Sequence, residues 1–331
     1  MRRRILALLP WLALCAVPLL TNGYSQYIIN LILVNVTVIT GLNFLLGYAG
    51  QFSFSHAALM GIGAYTAALL SARVGISFWI GLPLAGVASA AIGLLAAISA
   101  MRLKRVYLAL VTVAFAELLV WVLNNWRAVT LGTDGVNLPV PSLFGWDVDG
   151  DKRVFYVVLA CTATMWWLAR RILESHIGRA FIAIRENEIL AQCNGINVPL
   201  TKSLVFAMSA FYAGIGGALF ALVLGFIVPA SFGLLTLVTQ FSAVVLGGPL
   251  NLAGGAIGAL LLTALPEVLR DFQGLQEVIY GVVLIVCVVV MPGGIAGLLQ
   301  HLGVLPAEAL ARHWRRLPTP AAPPSAADGT P

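Results

Sequence analysis

Charge is what this sequence has least of. Only 10% of its 331 residues are Asp, Glu, Lys or Arg, against 60% hydrophobic, and the mean hydropathy is +0.96. A soluble domain carries about 25% charged residues, so that class is excluded. Cysteine is nearly as sparse. Cys15, Cys161, Cys193 and Cys287 stand far apart, at no spacing that suits a metal site or a redox pair. They read as small apolar filler. No G-x-x-x-x-G-K-[ST] phosphate loop occurs, which excludes ATP binding of that kind. No nucleophile, base or metal set is apparent either, which argues against a membrane-embedded enzyme. Acids inside the apolar runs are scarce, with Glu117 the clear mid-span case. A secondary transporter would need ion-coupling acids there, so that class is disfavoured as well.

Long apolar runs are what the chain has in abundance. A hydrocarbon core about 30 Å thick takes about 20 apolar residues to cross as a helix. Runs without strict alternation point to helices rather than to a barrel. The expected fold is all-α, a polytopic transmembrane helical bundle of about ten spans, at 5–21, 27–48, 57–72, 76–100, 106–126, 154–173, 203–226, 233–248, 252–268 and 276–299. The runs at 57–72, 233–248 and 252–268 are short, which suits broken or re-entrant segments. The start, MRRRILALLPWLALCAVPLL, resembles a signal peptide but lacks a convincing cleavage site, so an uncleaved first helix is expected.

With the N-terminus inside, ten crossings leave both termini cytoplasmic. Fourteen of the 19 Lys and Arg residues then lie inside and five outside, in accord with the positive-inside bias. The net charge of +6 therefore reports topology, not a nucleic-acid partner. Residues 127–153, with Asp134, Asp147, Asp149 and Asp151 among Gly and Pro turns, form an external loop. The membrane domain is expected over 1–317, and the Pro/Ala-rich tail 318–331 reads as disordered.

Four segments stand out. In 41–70, glycines including Gly50 and Gly61 interrupt the apolar pattern, and Asn43, Gln51, Ser53, Ser55 and His56 cluster among them. Broken membrane helices line substrate paths; the competing reading is close packing through the small-xxx-small pairs Ala57/Gly61 and Gly63/Ala67. His56 reads as a hydrogen-bonding position rather than a ligand or base. A second Gly-rich break, LGGPLNLAGGAIG at 246–258, carries Gly247, Gly248 and Asn251, and its Gly254/Gly258 pair equally suits helix packing. Glu117 is a functional candidate by its depth alone, with a carboxyl expected to be protonated or to pair with a hydroxyl on a neighbouring helix.

The fourth segment is a charged island at 170–202. Ile177, Phe181 and Ile184 share one helical face there, crowded by Arg179, Arg185, Glu186 and Glu188. Its mixed charge fits a partner's groove better than anionic lipid, so the apolar face is expected to dock into a partner protein. Gly195 and Pro199 are expected to end the helical stretch.

These strings carry a resemblance. GLNFLLGYAGQFSFSHAALMGIGAYTAALL, LGTDGVNLPVPSLFG, GRAFIAIRENEILAQCNGINVPLTKSLVFAMSAFYAGIGGALFA and VVLGGPLNLAGGAIGALLLTALPEVLR, spread across most of 30–300, look like the signatures of M-type permease subunits of branched-chain amino-acid ABC importers. The resemblance implies a bacterial inner-membrane importer subunit carrying leucine, isoleucine or valine, with urea, short amides or aromatic acids as other cargoes. It implies a sister permease, two ATPase subunits that use the ATP and magnesium, and a periplasmic binding protein, with no cofactor on this chain. Glu188, Ala191 and Gly195 match its short coupling loop. Relatives commonly read G-G-x-G-T-x-x-G-P at the late signature; here Leu250, Asn251 and Gly255 depart from it, which puts the local turn in question.

Overall fold

A computed structural model describes residues 22–268 except 103, 104, 140, 144, 145, 148 and 149, together with isolated positions on either side. Nearly all of the expected first span and of 276–299, and the tail, lie outside the described residues.

Every apolar run expected between 27 and 268 forms a helix. These are α1 (Gly23–Asn43), α2 (His56–Val74), α3 (Phe78–Arg102), α4 (Arg105–Asn125), α5 (Asp151–Glu174), then α6 (His176–Glu186) and α7 (Glu188–Cys193) from the island, followed by α8 (Val198–Leu224), α9 (Leu234–Gly247) and α10 (Leu252–Val268). Among the described residues, six stretches are long and apolar enough to cross a membrane. α1 qualifies with its continuation through a π-helical turn at Phe44–Tyr48. α9 reaches 19 residues only with the 3-10 turn before it, over Pro229–Gly247. α10, at 17 residues, is shorter. The 24 residues of α5 carry charge at both ends, which suits a span whose ends meet headgroups.

Lipid gives helices no hydrophobic reason to associate, so close backbone contact and hydrogen bonds between helices must hold such a bundle together. Both are present. α8 lies against α1, α2 and α3. A Cβ on Gly63 of α2 would fall 2.3 Å from the Gly214 carbonyl oxygen of α8, and one on Gly217 would fall 1.9 Å from that of Met60. Only glycine allows these backbones to touch, so the small-residue pattern of α2 is at least a packing device. Hydrogen bonds add cross-ties. The Thr37 and Thr162 hydroxyls meet at 3.1 Å, Asn35 Nδ2 donates to Thr263 Oγ1 at 3.0 Å, and the Tyr212 hydroxyl donates to the Met165 carbonyl at 2.9 Å.

At one end of the bundle the segment after α4 is folded rather than loose. Val136–Asn137 pairs antiparallel with Phe226–Ile227 after α8, Leu138 N–H donates to the Gly225 carbonyl, and Arg73 Nη1 donates to the Ala128 carbonyl at 2.7 Å. The island and both Gly-rich breaks are linked to one another elsewhere, by the contacts described next.

Candidate functional site

The first break begins where α1 leaves the α-helical ladder. Its π turn passes Ala49 N–H to the Phe44 carbonyl and Gln51 N–H to the Leu45 carbonyl, and π turns gather at functional sites. Gly50 then takes φ +64°, a left-handed conformation that glycine adopts without steric cost. The chain runs without regular structure to Ser55 before α2 starts at His56. Backbone freed by the break finds partners: Phe54 N–H donates to Thr112 Oγ1 at 3.0 Å. His56 is a brace. Its Nε2 lies 2.9 Å from the Val38 carbonyl, which can only accept, so Nε2 is the donor. Nδ1 faces Ser209 Oγ at 3.2 Å. The ring thus ties α1, α2 and α8 together, as a hydrogen-bonding histidine should.

The second break meets the first. Asn43 Nδ2 donates to the Asn251 carbonyl at 3.0 Å, and a Cβ on Gly47 would lie 3.0 Å from Leu250 N. Asn251 Oδ1 accepts from Gly254 N–H at 3.2 Å, capping α10. That role suits Asn as well as the Thr of the common pattern. Leu250 takes φ +71°, a left-handed conformation that L-residues adopt at a cost. The Gly254/Gly258 pair packs helices: Cβ atoms on Gly247 and Gly258 would fall about 2 Å from the carbonyls of Gly254 and Ala243.

The island sits on this junction. Arg185, at the end of α6, donates through Nη1 to the Gly47 carbonyl inside the π turn. Its aliphatic stem fills the place a side chain on Gly50 would need, 2.8 Å from that Cβ. α6 is therefore keyed directly into the first break. α7 follows at once, capped by Asn187 Oδ1, which accepts from Ile189 and Leu190 N–H at 2.9 and 3.1 Å. Lys202, the fifth residue of α8, lies 2.9 Å from the Glu188 carboxylate. Ile184, Ala191 and Val198 form a small apolar cluster among α6, α7 and α8. Gly195, at φ +80°, turns the chain out of α7.

Several expectations need correction. The apolar face of α6 is not available for docking: Phe181 and Ile184 are buried, and Ile177 packs half-buried beside them. The end of α5 lies so close that a Cβ on Gly178 would fall 2.3 Å from the Leu173 carbonyl. Amphipathic spacing says that a face is covered, and here the chain covers it itself. Ala191 is likewise buried in packing. Arg179 and Glu186 stay exposed. Pro199 does not end a helix; it sits in the first turn of α8, where its missing N–H costs nothing. Ile189 and Leu190, exposed on α7 beside Glu188, and Lys202 as the partner of Glu188 were not among the expected residues. The first two were legible as apolar residues in a charged stretch that the Ile177 periodicity does not include.

Of the residues expected to line a path, Asn43, Gln51, Ser53, Ser55, His56, Gly61, Gly247, Gly248 and Asn251 are buried within the chain and Gly50 is half-buried. Gly61 faces the Phe232 ring. Glu117 differs: it is exposed on α4 and lines a crevice with Phe54, Ala58, Val113, Phe232 and Leu237. It pairs with no hydroxyl among the described residues.

Against this geometry, the comparisons with known proteins are consistent. Residues 25–291 match the family model described as the permease component of branched-chain amino-acid transport systems. The chain is 32% identical over 302 residues to the high-affinity branched-chain amino acid transport system permease protein LivM of Salmonella typhimurium, covering 84% of this chain and 71% of the relative. The Escherichia coli LivM is 31% identical over the same coverage. LivH of Salmonella typhimurium is 30% identical over 187 residues, covering 53% of this chain and 60% of that protein. No solved structure matches. A multi-pass helical membrane protein with these matches belongs to the family of permease components of branched-chain amino-acid transport systems.

Proposed function

We propose that this permease is one membrane-spanning half of an ABC importer that carries leucine, isoleucine and valine into the cytoplasm. ATP hydrolysis on separate ATPase subunits drives it, a binding protein outside delivers the amino acid, and a sister permease completes the channel. The chain lies in the bacterial inner membrane with the island on the cytoplasmic side, where positive charge collects. α7 is the element the ATPase grips. Ile189 and Leu190 supply its exposed apolar contact, and the Asn187 cap and the Lys202–Glu188 pair hold it in place. The observation that carries this reading is the Arg185 junction. It joins the docking element to the broken α1–α2 segment through one hydrogen bond and one packed stem. A push on α7 and α6 is thereby delivered to Gly47 and Gly50, and from there to the Asn43–Asn251 contact between the two breaks. ATP and magnesium act on the partner subunits, and this chain needs no cofactor of its own.

Radiolabelled leucine uptake tests the reading in cells that carry the neighbouring transport genes, with and without this subunit, beside urea and phenylalanine. Loss of leucine uptake on removing the chain is the expected result. Loss of another solute with leucine unaffected would overturn the cargo, and no loss of any would overturn the importer role.

A further inference from the structure

Two exposed faces of the bundle differ in kind. On α3 the large exposed side chains within the span are Ile80, Leu84, Val87, Leu94, Leu95 and Ile98, all of which lipid tails can cover. α4 is left barer: 22% of its span is buried against 39% of that of α3, the lowest share among the six crossing stretches described. Its exposed positions Tyr107, Leu110, Ala114, Glu117 and Trp121 follow one another at steps of three and four, the seam by which one helix packs along another. Glu117 is twelve residues from Arg105 and eight from Asn125 in a helix of 21. At 1.5 Å per residue it lies about 18 Å in, well inside a hydrocarbon core about 30 Å thick.

The seam and the acid together decide what covers this face. A carboxyl group against lipid at that depth is costly, charged or neutral, because nothing there takes up its hydrogen bonds. This chain does not take them up either: the ion pairs among the described residues are Arg170–Glu174 and Lys202–Glu188, and no hydrogen bond or ion pair there engages Glu117. Hydrocarbon alone is therefore a poor cover for α4, whereas it suits α3. A water-filled path is a poor cover as well. The seam residues flanking Glu117 are Leu110, Ala114 and Trp121, and the crevice beside it is walled by apolar groups, among them Phe54, Ala58 and Val113. A protein helix meets both demands. It lays apolar side chains along the seam, and Ala114, one turn before Glu117, lets it come close enough to place a donor on the carboxyl.

We propose that the α4 face is where the sister permease packs, with Glu117 engaging a basic or amide side chain on the sister's facing helix at mid-membrane. This rests on the importer reading above and assigns the surface that joins the two membrane-spanning halves. The α3 face is left to lipid. Phe54 N–H donates to Thr112 Oγ1 of α4, so the broken segment that Arg185 grips is tied to the helix that forms this joint.

The test uses membrane vesicles from cells that express this chain with the neighbouring transport genes. The photo-reactive residue benzoylphenylalanine is placed in turn at Leu110 and Leu118 of α4 and at Val87 and Leu94 of α3, all four exposed. The α4 positions should form adducts with the sister permease, and the α3 positions should not. Glu117→Leu should lower co-purification of the sister about 10-fold, the scale of one strong hydrogen bond between membrane helices, and Glu117→Gln should restore part of it. The adducts are mapped with Glu117 in place, so a folding defect in the variant does not imitate them. Sister adducts from α3 in place of α4 would overturn the proposal. So would α4 adducts confined to this chain or to lipid, or normal co-purification of Glu117→Leu. A wild-type chain that brings down no second permease would overturn the importer reading and this inference with it. A sister that co-purifies, with leucine uptake intact and no adduct from α4, would remove the inference alone.

Discussion

Two apolar helix faces stand side by side in the charged island, and they meet opposite fates. On α6, Phe181 and Ile184 are 0% and 2% exposed; on α7, Ile189 and Leu190 are 72% and 61% exposed. The residue types are similar, so the difference lies in what stands opposite. α6 lies against the end of α5 and the π turn, and both supply covering surface. α7 is held at its start by the Asn187 cap and the Glu188–Lys202 pair and by buried Ala191 against Ile184 and Val198, while Ile189 and Leu190 project past that surface. The regular amphipathic pattern therefore marks the joint that anchors the island to the membrane domain. The short exposed dipeptide is what this chain leaves uncovered there, and under the proposed function it is the part a partner would take.

Breaking the joint should have the largest effect. Phe181→Ala removes a fully buried ring and is expected to destabilise the permease by about 3–5 kcal/mol, seen as a lower midpoint of thermal unfolding in detergent. If its midpoint matched wild type, the buried face would not be the anchor. The complementary change leaves the joint alone. Ile189→Asp with Leu190→Asp should keep the unfolding midpoint near wild type yet weaken ATPase association roughly 30-fold or more, as loss of an interface hot spot does. Pull-down of the ATPase at normal yield would move the docking surface elsewhere.

A finer contrast concerns how α7 is held. Lys202 is 8% exposed and Glu188 40%. Glu188→Gln leaves a buried ammonium without its carboxylate, whereas Lys202→Met removes the buried charge itself. Glu188→Gln should therefore cost about 1–2 kcal/mol, discounted for the exposure of Glu188, and more than Lys202→Met. Equal midpoints for the two variants would show that the pair does not hold α7. The smallest effect is expected at the second break, beyond the island. Leu250→Gly loses a half-buried side chain but relieves φ +71°. The two terms oppose each other, so the net change should stay within about 1 kcal/mol, far below the 2–5 kcal/mol of an ordinary buried leucine truncation. A loss on that larger scale would mean that packing outweighs backbone strain there.

The spans were legible in the sequence because crossing a membrane demands long uninterrupted apolar runs, and each run expected between 27 and 268 is a helix. The break at Gly50 was legible from the glycines and polar residues clustered there, whereas Gly247 turned out to end α9 and pack against Gly254. The hydrogen-bonding role of His56 followed from its isolation, although its partners Val38 and Ser209 did not. What covers Phe181 could not be read, since a periodic face specifies burial without naming the neighbour. The Arg185–Gly47 contact joins residues 138 apart in sequence, and nothing local marks it. Leu250 was marked in advance, as a side chain where the common pattern has glycine. The exposure of Glu117 was not, because a lone acid in a span gives no sign of which way its face turns.

Transport that depends both on ATP and on α7 tests the proposed function most directly. Proteoliposomes holding this chain with its sister permease and ATPase subunits, supplied with leucine-loaded binding protein, should accumulate leucine only when ATP is present. The same vesicles with Ile189→Asp and Leu190→Asp should not. Leucine accumulation that persists without ATP, or that survives the double substitution at the wild-type rate, would contradict it.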